Sequence, residues 1–174
     1  AGVLRSEGAA SLRDTGAVTL NGGELQLASD VAANYGNAVV VGGNAKITSD
    51  RVSDGAGVTQ TLGTLSIGAN VLTVGKGAHV TSGVAGLTLG ATTLTGAATI
   101  NSEASVLSTI AAVSGVGNAL TVGGAGDTTL SAGVVTGAGG SLTKNDAGTL
   151  TLAGGSDYSG ATNIVGGTLK LGAN

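Results

Sequence analysis

A short unit, Gly followed by two aliphatic residues with one residue between them, returns throughout this chain. GELQLA fills 23–28, GTLSIGAN 63–70, AGLTLGA 85–91, GTLTLAGG 148–155 and GTLKLGAN 167–174. One such unit cannot bury its apolar face by itself; it needs copies of itself on either side, so the chain is constrained to a repeat architecture. Taking the last apolar residue of each unit as its anchor gives Leu27, Ile67, Leu89, Leu152 and Leu171. Leu27 to Ile67 is two steps of a common length, Ile67 to Leu89 one, Leu89 to Leu152 three, and Leu152 to Leu171 one. Ile47, Ile110 and Leu130 occupy the remaining steps. The common step is about 20 residues, within the range of known repeat architectures.

The contents of one unit predict its shape. From Gly63 the chain reads GTLSI, GAN, VLTV, GKGA, HVTS and GVAG before GLTL opens the next unit. Each burst alternates apolar with polar residues, the period of a half-buried strand. Gly or Asn punctuates the bursts, as tight corners require. Leu65 and Ile67, Leu72 and Val74, and Val80 are expected to point inward on three successive sides, with Leu87 and Leu89, Leu94, and Ile100 as their counterparts one unit later. No stretch carries a 3.6-residue period over three turns. The expected fold is all-β: a single-chain parallel β-solenoid (β-helix) of about eight coils of about 20 residues, with three short strands per coil. At roughly 4.8 Å per stacked strand, eight coils make a rod about 40 Å long.

Composition supports this reading and excludes others. The 174 residues include 34 Gly and 2 Tyr but no Phe, Trp, Met, Cys or Pro. A globular core of this size normally uses bulky aromatics, whereas a narrow solenoid interior is filled by Val, Leu, Ile, Ala and Thr. The mean hydropathy of +0.40 would suit a membrane protein, but no uninterrupted apolar run is long enough to span a bilayer. A transmembrane barrel would need aromatic girdles and strands of about ten residues. The net charge is −3 and the seven Lys and Arg are scattered, so there is no basic stripe for nucleic acid and no polybasic membrane segment. The absence of cysteine is compatible with secretion or with a cytosolic home.

The final cassette, KNDAGTLTLAGGSDYSGATNIVGGTLKLGAN at 144–174, resembles the autotransporter-associated β-strand repeat, also called the passenger-associated transport repeat. The matching positions are Lys144, Gly148, Thr149, Leu150, Leu152, Gly154, Tyr158, Gly160, Thr162, Ile164, Gly167, Thr168, Leu169, Leu171 and Gly172. Asp146 stands where the motif has Gly, and Ser156 where it prefers Asn. The resemblance spans 144–172, with upstream echoes such as GTLSIGAN. It implies a right-handed parallel β-helix from a large bacterial surface or secreted protein, exported by a C-terminal translocator barrel. That barrel is not in these residues, so the resemblance implies a released or excised passenger segment.

The chemistry-bearing residues are sparse. His79 is the only histidine and is expected to sit solvated on a solenoid face. A zinc site without Cys would have to rest on carboxylates. No GDSGS-type serine nucleophile is present. Asp50 and Asp54, with Arg51 between them, are a conceivable glycosidase-type pair but read as a solvated loop, and only Tyr35 and Tyr158 are available for sugar stacking. Tyr158 falls on the family's own Tyr position, which implies packing. GGAGD at 123–127 is out of register for the Ca²⁺-binding nonapeptide, with Thr128 at the sixth position. Thr59/Thr61 and Thr149/Thr151 form Thr-x-Thr pairs of the ice-binding kind, but the intervening units lack the pair. No catalytic, cofactor-binding or metal-binding residue is expected.

A structural or adhesive role remains. The charges at Arg5, Glu7, Arg13, Asp14, Glu24 and Asp30 suggest an irregular N-terminal cap over residues 1–30, while the C-terminal strand motif ending at Asn174 carries no cap. The expected protein is therefore a non-enzymatic, extracellular or cell-surface β-solenoid, without cofactors, joining itself head to tail in a surface layer, matrix or filament. The second reading is an adhesin passenger segment that presents 28–38 and 49–57 as loops to a receptor or glycan.

Overall fold

Short alternating bursts form strands, and Gly-rich corners fold them into a parallel β-solenoid of about eight coils. The computed structural model describes residues 2–12 and 16–172; Arg13, Asp14 and Asn174 lie outside the described residues. The chain visits three sheets in turn. Sheet 1 contains Val3–Glu7, Glu24–Ala28, Ala45–Asp50, Val71–Lys76, Ala98–Ser102, Ala119–Gly123, Ser141–Lys144 and Thr162–Ile164. Sheet 2 contains Ala33–Asn34, Thr59–Thr61, Ala85–Leu89, Val106–Ile110, Asp127–Leu130, Thr149–Leu152 and Thr168–Leu171. Sheet 3 contains Val18–Asn21, Val39–Gly43, Leu65–Ile67, Thr92–Leu94, Val113–Ser114, Val134–Gly137 and Asp157–Tyr158. Neighbouring strands pair in parallel on all three sheets. In the first coil a 3₁₀ turn, Ala9–Ser11, lies between the sheet 1 and sheet 3 strands.

Stacking aligns like with like. Leu89, Ile110, Leu130, Leu152 and Leu171 follow one another in register along sheet 2, the same residues that anchor the repeat in the sequence. Leu4, Leu25, Ile47 and Val74 form a matching column on sheet 1. Val18, Val39, Leu65, Thr92, Val113 and Val134 form one on sheet 3. Apart from Leu4 and Leu171 at the two described ends and the polar Thr92, these columns join in one continuous apolar core. Aliphatic side chains spaced by about 4.8 Å fill the section of a coil without aromatic bulk.

The repeat is less uniform than the anchors suggest. Along sheet 1 the position numbers of stacked partners rise by 21 from Leu4 to Leu25 and by 22 from Leu25 to Ile47. The step then grows to 27 from Ile47 to Val74 and 28 from Leu72 to Ile100. It returns to 22 from Ile100 to Val122. The third and fourth coils are thus widened. Each carries an extra strand, Gly55–Ala56 and Val80–Ser82, and these pair with each other as a two-stranded arm at the corner between sheets 1 and 2.

That insertion corrects the expected register in the first half of the chain. Leu65 and Ile67 belong to sheet 3, where their partners are Thr92 and Leu94 rather than Leu87 and Leu89. Leu27 and Ile47 belong to sheet 1, and Val80 belongs to the arm. The true sheet 2 predecessors of Leu89 are Leu62 and Tyr35, linked by hydrogen bonds from Leu62 N to Thr88 O and from Tyr35 N to Thr61 O. Tyr35 is fully buried, an aromatic member of an otherwise aliphatic column.

Candidate functional site

The terminal cassette occupies the seventh coil and the described part of the eighth. Ser141–Lys144, Thr149–Leu152 and Asp157–Tyr158 give one strand to each sheet, and Thr162–Ile164 and Thr168–Leu171 begin the next turn. Leu142, Leu150 and Leu152 point inward. Lys144 also points inward and is 1% exposed. Its Nζ donates to the backbone carbonyls of Asn145, of Asp146 at 3.0 Å and of Gly166 at 3.5 Å, so one ammonium gathers acceptors from two coils. Burial pushes its pKa below the ordinary lysine value, against the pull of Asp146 and Asp127.

Both departures from the motif are accommodated. Asp146 adopts φ 60, the region a Gly would take, and its Oδ2 accepts a hydrogen bond from Gly124 N at 2.8 Å. Ser156 Oγ accepts from Val134 N at 3.1 Å, so it still ties its corner to the coil before. Tyr158 packs against the core and its hydroxyl lies 2.7 Å from Thr162 Oγ1. At the last described coil the inward columns become surface. Ile164 is 58% exposed and Leu171 70%. At the opposite end Leu4, which heads the inward column of Leu25, is exposed likewise.

A second cluster lies where the widened coils meet the first. Asp50 ends the strand Ala45–Asp50 and is 2% exposed. Its Oδ2 accepts from Arg5 Nη1 at 2.8 Å and lies 3.3 Å from His79 Nδ1, while its Oδ1 accepts from His79 N at 3.1 Å. Gly77 makes room, since a Cβ there would lie 2.0 Å from Asp50 Cγ. Arg5 also donates to Arg51 O at 2.8 Å and to Glu7 at 3.1 Å. Burial pushes the Asp50 carboxyl up, but hydrogen bonds from Arg5, the backbone of Arg51 and His79 outweigh it and hold it below the usual carboxylate value. Beside it, Asp30 accepts from the backbone of Val52 and Ser53 and from Ser53 Oγ, and the bonds from Ser53 lead in lowering its pKa as well.

These positions differ from the expected ones. Asp50 is a buried, paired carboxylate rather than part of a solvated loop, and Asp54 is exposed and not brought to it. His79 is half-exposed with its ring against Asp50 rather than free on a face. Sequence reasoning missed this cluster because Arg5 lies two coils and His79 one widened coil away from Asp50 along the chain. The one available signal was charge density in 1–30 and 50–54, which carries no pairing information.

The remaining candidates resolve into structural parts. Asp127 of GGAGD is exposed, and its Oδ1 accepts from Thr149 N at 2.8 Å. Thr61, Thr88, Thr109, Thr129 and Thr151 form an unbroken outward column on sheet 2. The companion column runs Thr59, Gly86, Leu107 and Asp127 before Thr149, so the Thr-x-Thr pair is missing on three consecutive coils. A shallow groove of about 590 Å³ crosses sheet 1, lined by Glu24, Asn44, Lys46, Thr73 and Glu103 among others. Lys46 and Glu103 pair at 2.7 Å within it. Among the described residues no group of three or more His, Cys, Asp and Glu is placed to hold a metal ion. Among them, too, no helix is long and apolar enough to cross a membrane.

Stacked parallel coils with a side-chain-filled interior define a β-solenoid, a class that displays surface rather than enclosing a cavity. Residues 142–171 match the family model described as Passenger-associated-transport-repeat, so the chain carries a repeat of the autotransporter-associated kind. No curated protein and no solved structure matches the chain. The repeat and the solenoid together fit an autotransporter passenger-like protein and a secreted or surface-exposed setting.

Proposed function

We propose that this β-solenoid is a non-enzymatic structural element of a bacterial surface layer, matrix or filament, extended by head-to-tail stacking of coils. The observation that supports the reading is the stacking itself: strands of successive coils pair in parallel and in register on all three sheets, so the fold grows along one axis by the addition of coils. Ile164 and Leu171 continue the inward columns of Lys144 and Leu152 into the eighth coil. Covering a large aliphatic side chain contributes about 1.5–3 kcal/mol, and the backbone edge adds directional hydrogen bonds. Coils added end to end in this way make a heterologous contact that does not close.

Electron microscopy and sedimentation of the purified chain test this. The expected result is rods that lengthen with concentration, and a double variant Ile164→Lys, Leu171→Lys that stays monomeric. Wild-type protein that remains as short single rods at high concentration overturns the reading.

An adhesin role is the second reading. It is supported by the arm on coils three and four and by the exposed Val31, Val52 and Val84 near it. A glycan and receptor array with no hits counts against it.

A further inference from the structure

Asp50 accepts from two segments that the fold would otherwise hold separately. Arg5 belongs to the first coil, and His79 opens the arm strand Val80–Ser82 on the fourth coil. Both reach the same carboxylate, Arg5 through its guanidinium and His79 through ring and backbone N–H. Among the described residues, the first strand is paired on one edge only, to Glu24–Ala28. The arm is likewise minimal, two strands that pair only with each other.

We propose that Asp50 is an acid-releasable latch which fastens the first coil and the arm to the body of the solenoid at the same time. The charged groups around it set the direction. Arg5 and Glu7 approach from the first coil, His79 from the fourth, and Arg51 from the end of Asp50's own strand, with Asp30 of the second coil 3.5 Å from Arg51. Lys76, beside Ser49 in register, turns its Nζ to Val80 O instead. Arg5 and Arg51 keep their charge throughout the acid range. Protonating Asp50 therefore leaves the Arg5 guanidinium without its buried anion, while Arg51 keeps its pairing with Asp30. Because the folded carboxyl titrates below its unfolded value of about 3.9, the stabilisation is complete above that value and is lost as pH falls through the folded one.

Hydrogen exchange by mass spectrometry on the full chain tests the latch, with each segment's protection expressed relative to its intrinsic rate. Asp50→Asn at pH 7 reproduces the protonated state. Its protection is expected to fall at least tenfold in both 3–8 and 77–82, about the effect of losing a charge-assisted hydrogen bond, with 119–152 unchanged. Wild-type protein is expected to show the same pair of openings only below about pH 4. Arg5→Gln keeps the test decisive if Asp50→Asn folds poorly. Arg5 is partly exposed and its hydrogen bonds go to Glu7, Gln26, Asp50 and Arg51, outside 77–82. Because Arg51 itself donates to Ala56 O in the arm, Arg51→Gln is the control, and a loss of protection in 77–82 in Arg5→Gln but not in Arg51→Gln reports coupling through Asp50. Protection in 77–82 that ignores Arg5→Gln, or opening of the two segments at different pH, overturns the proposal.

Discussion

Replacing Gly148 with Ala isolates the physical reason for the Gly that opens a GTLTL unit. The sheet 2 strand of the seventh coil enters so close to the coil before it that a Cβ on Gly148 would lie 1.9 Å from Gly126 O, 2.8 Å from Gly126 C and 3.0 Å from Gly124 O. Each of these is backbone, which cannot rotate away. The coils must separate locally, straining the bonds from Gly148 N to Gly124 O at 3.0 Å and from Gly126 N to Ser102 O at 2.9 Å. Two weakened backbone hydrogen bonds are worth about 1 kcal/mol each, and overpacking typically adds about 1–3 kcal/mol. The expected loss is about 3–5 kcal/mol, or a fall of about 1–2 M in the urea midpoint. Gly155 is the control within the same cassette. A Cβ there meets nothing within 4 Å, so Gly155→Ala should be neutral or stabilise by about 0.4–1 kcal/mol through the unfolded chain. Far-ultraviolet circular dichroism in urea measures both. A Gly148→Ala midpoint equal to wild type, or equal losses for the two variants, would refute the close-approach argument.

Two further outcomes follow from the core and from Lys144. Ile110→Ala, in the buried sheet 2 column, should cost about 2–5 kcal/mol in urea unfolding, whereas Thr109→Ala, its outward neighbour in the chain, should stay within about 0.5 kcal/mol. Lys144 titrates below the ordinary lysine value in the folded state, so between those two values the unfolded chain binds the extra proton and stability should rise with pH. The stability difference between wild type and Lys144→Met, followed from pH 7 to 11, should carry that rise; a constant difference would show that Lys144 is not desolvated.

Much of the fold is legible in the chain because a solenoid is nearly one-dimensional. Leu89, Ile110, Leu130, Leu152 and Leu171 are spaced by one coil each and do lie in one column, since no arm is inserted between them. The same grid misassigns Ile67 and Ile47, because the arm adds residues that carry the same alternating pattern as the sheets. A burst such as HVTS at 79–82 on the arm and one such as VLTV at 71–74 on a coil wall look alike until their partners are known. The sites divide in the same way. Lys144, Tyr158 and Gly148 are visible as motif positions, but that Lys144 turns inward to bind carbonyls depends on where Gly166 returns.

By itself, the sequence determined the class of this protein: Gly corners and short alternating bursts, recurring once per coil, have no way to bury their apolar faces except by stacking. The family match at 142–171 was determined in the same local way, because the matching positions lie within one continuous stretch of chain. Only the tertiary structure decided which burst stacks on which, where the coils widen, and that Asp50 joins Arg5 to His79. Those contacts cross one or more whole coils, and chain periodicity carries no record of a partner that an insertion has shifted out of phase.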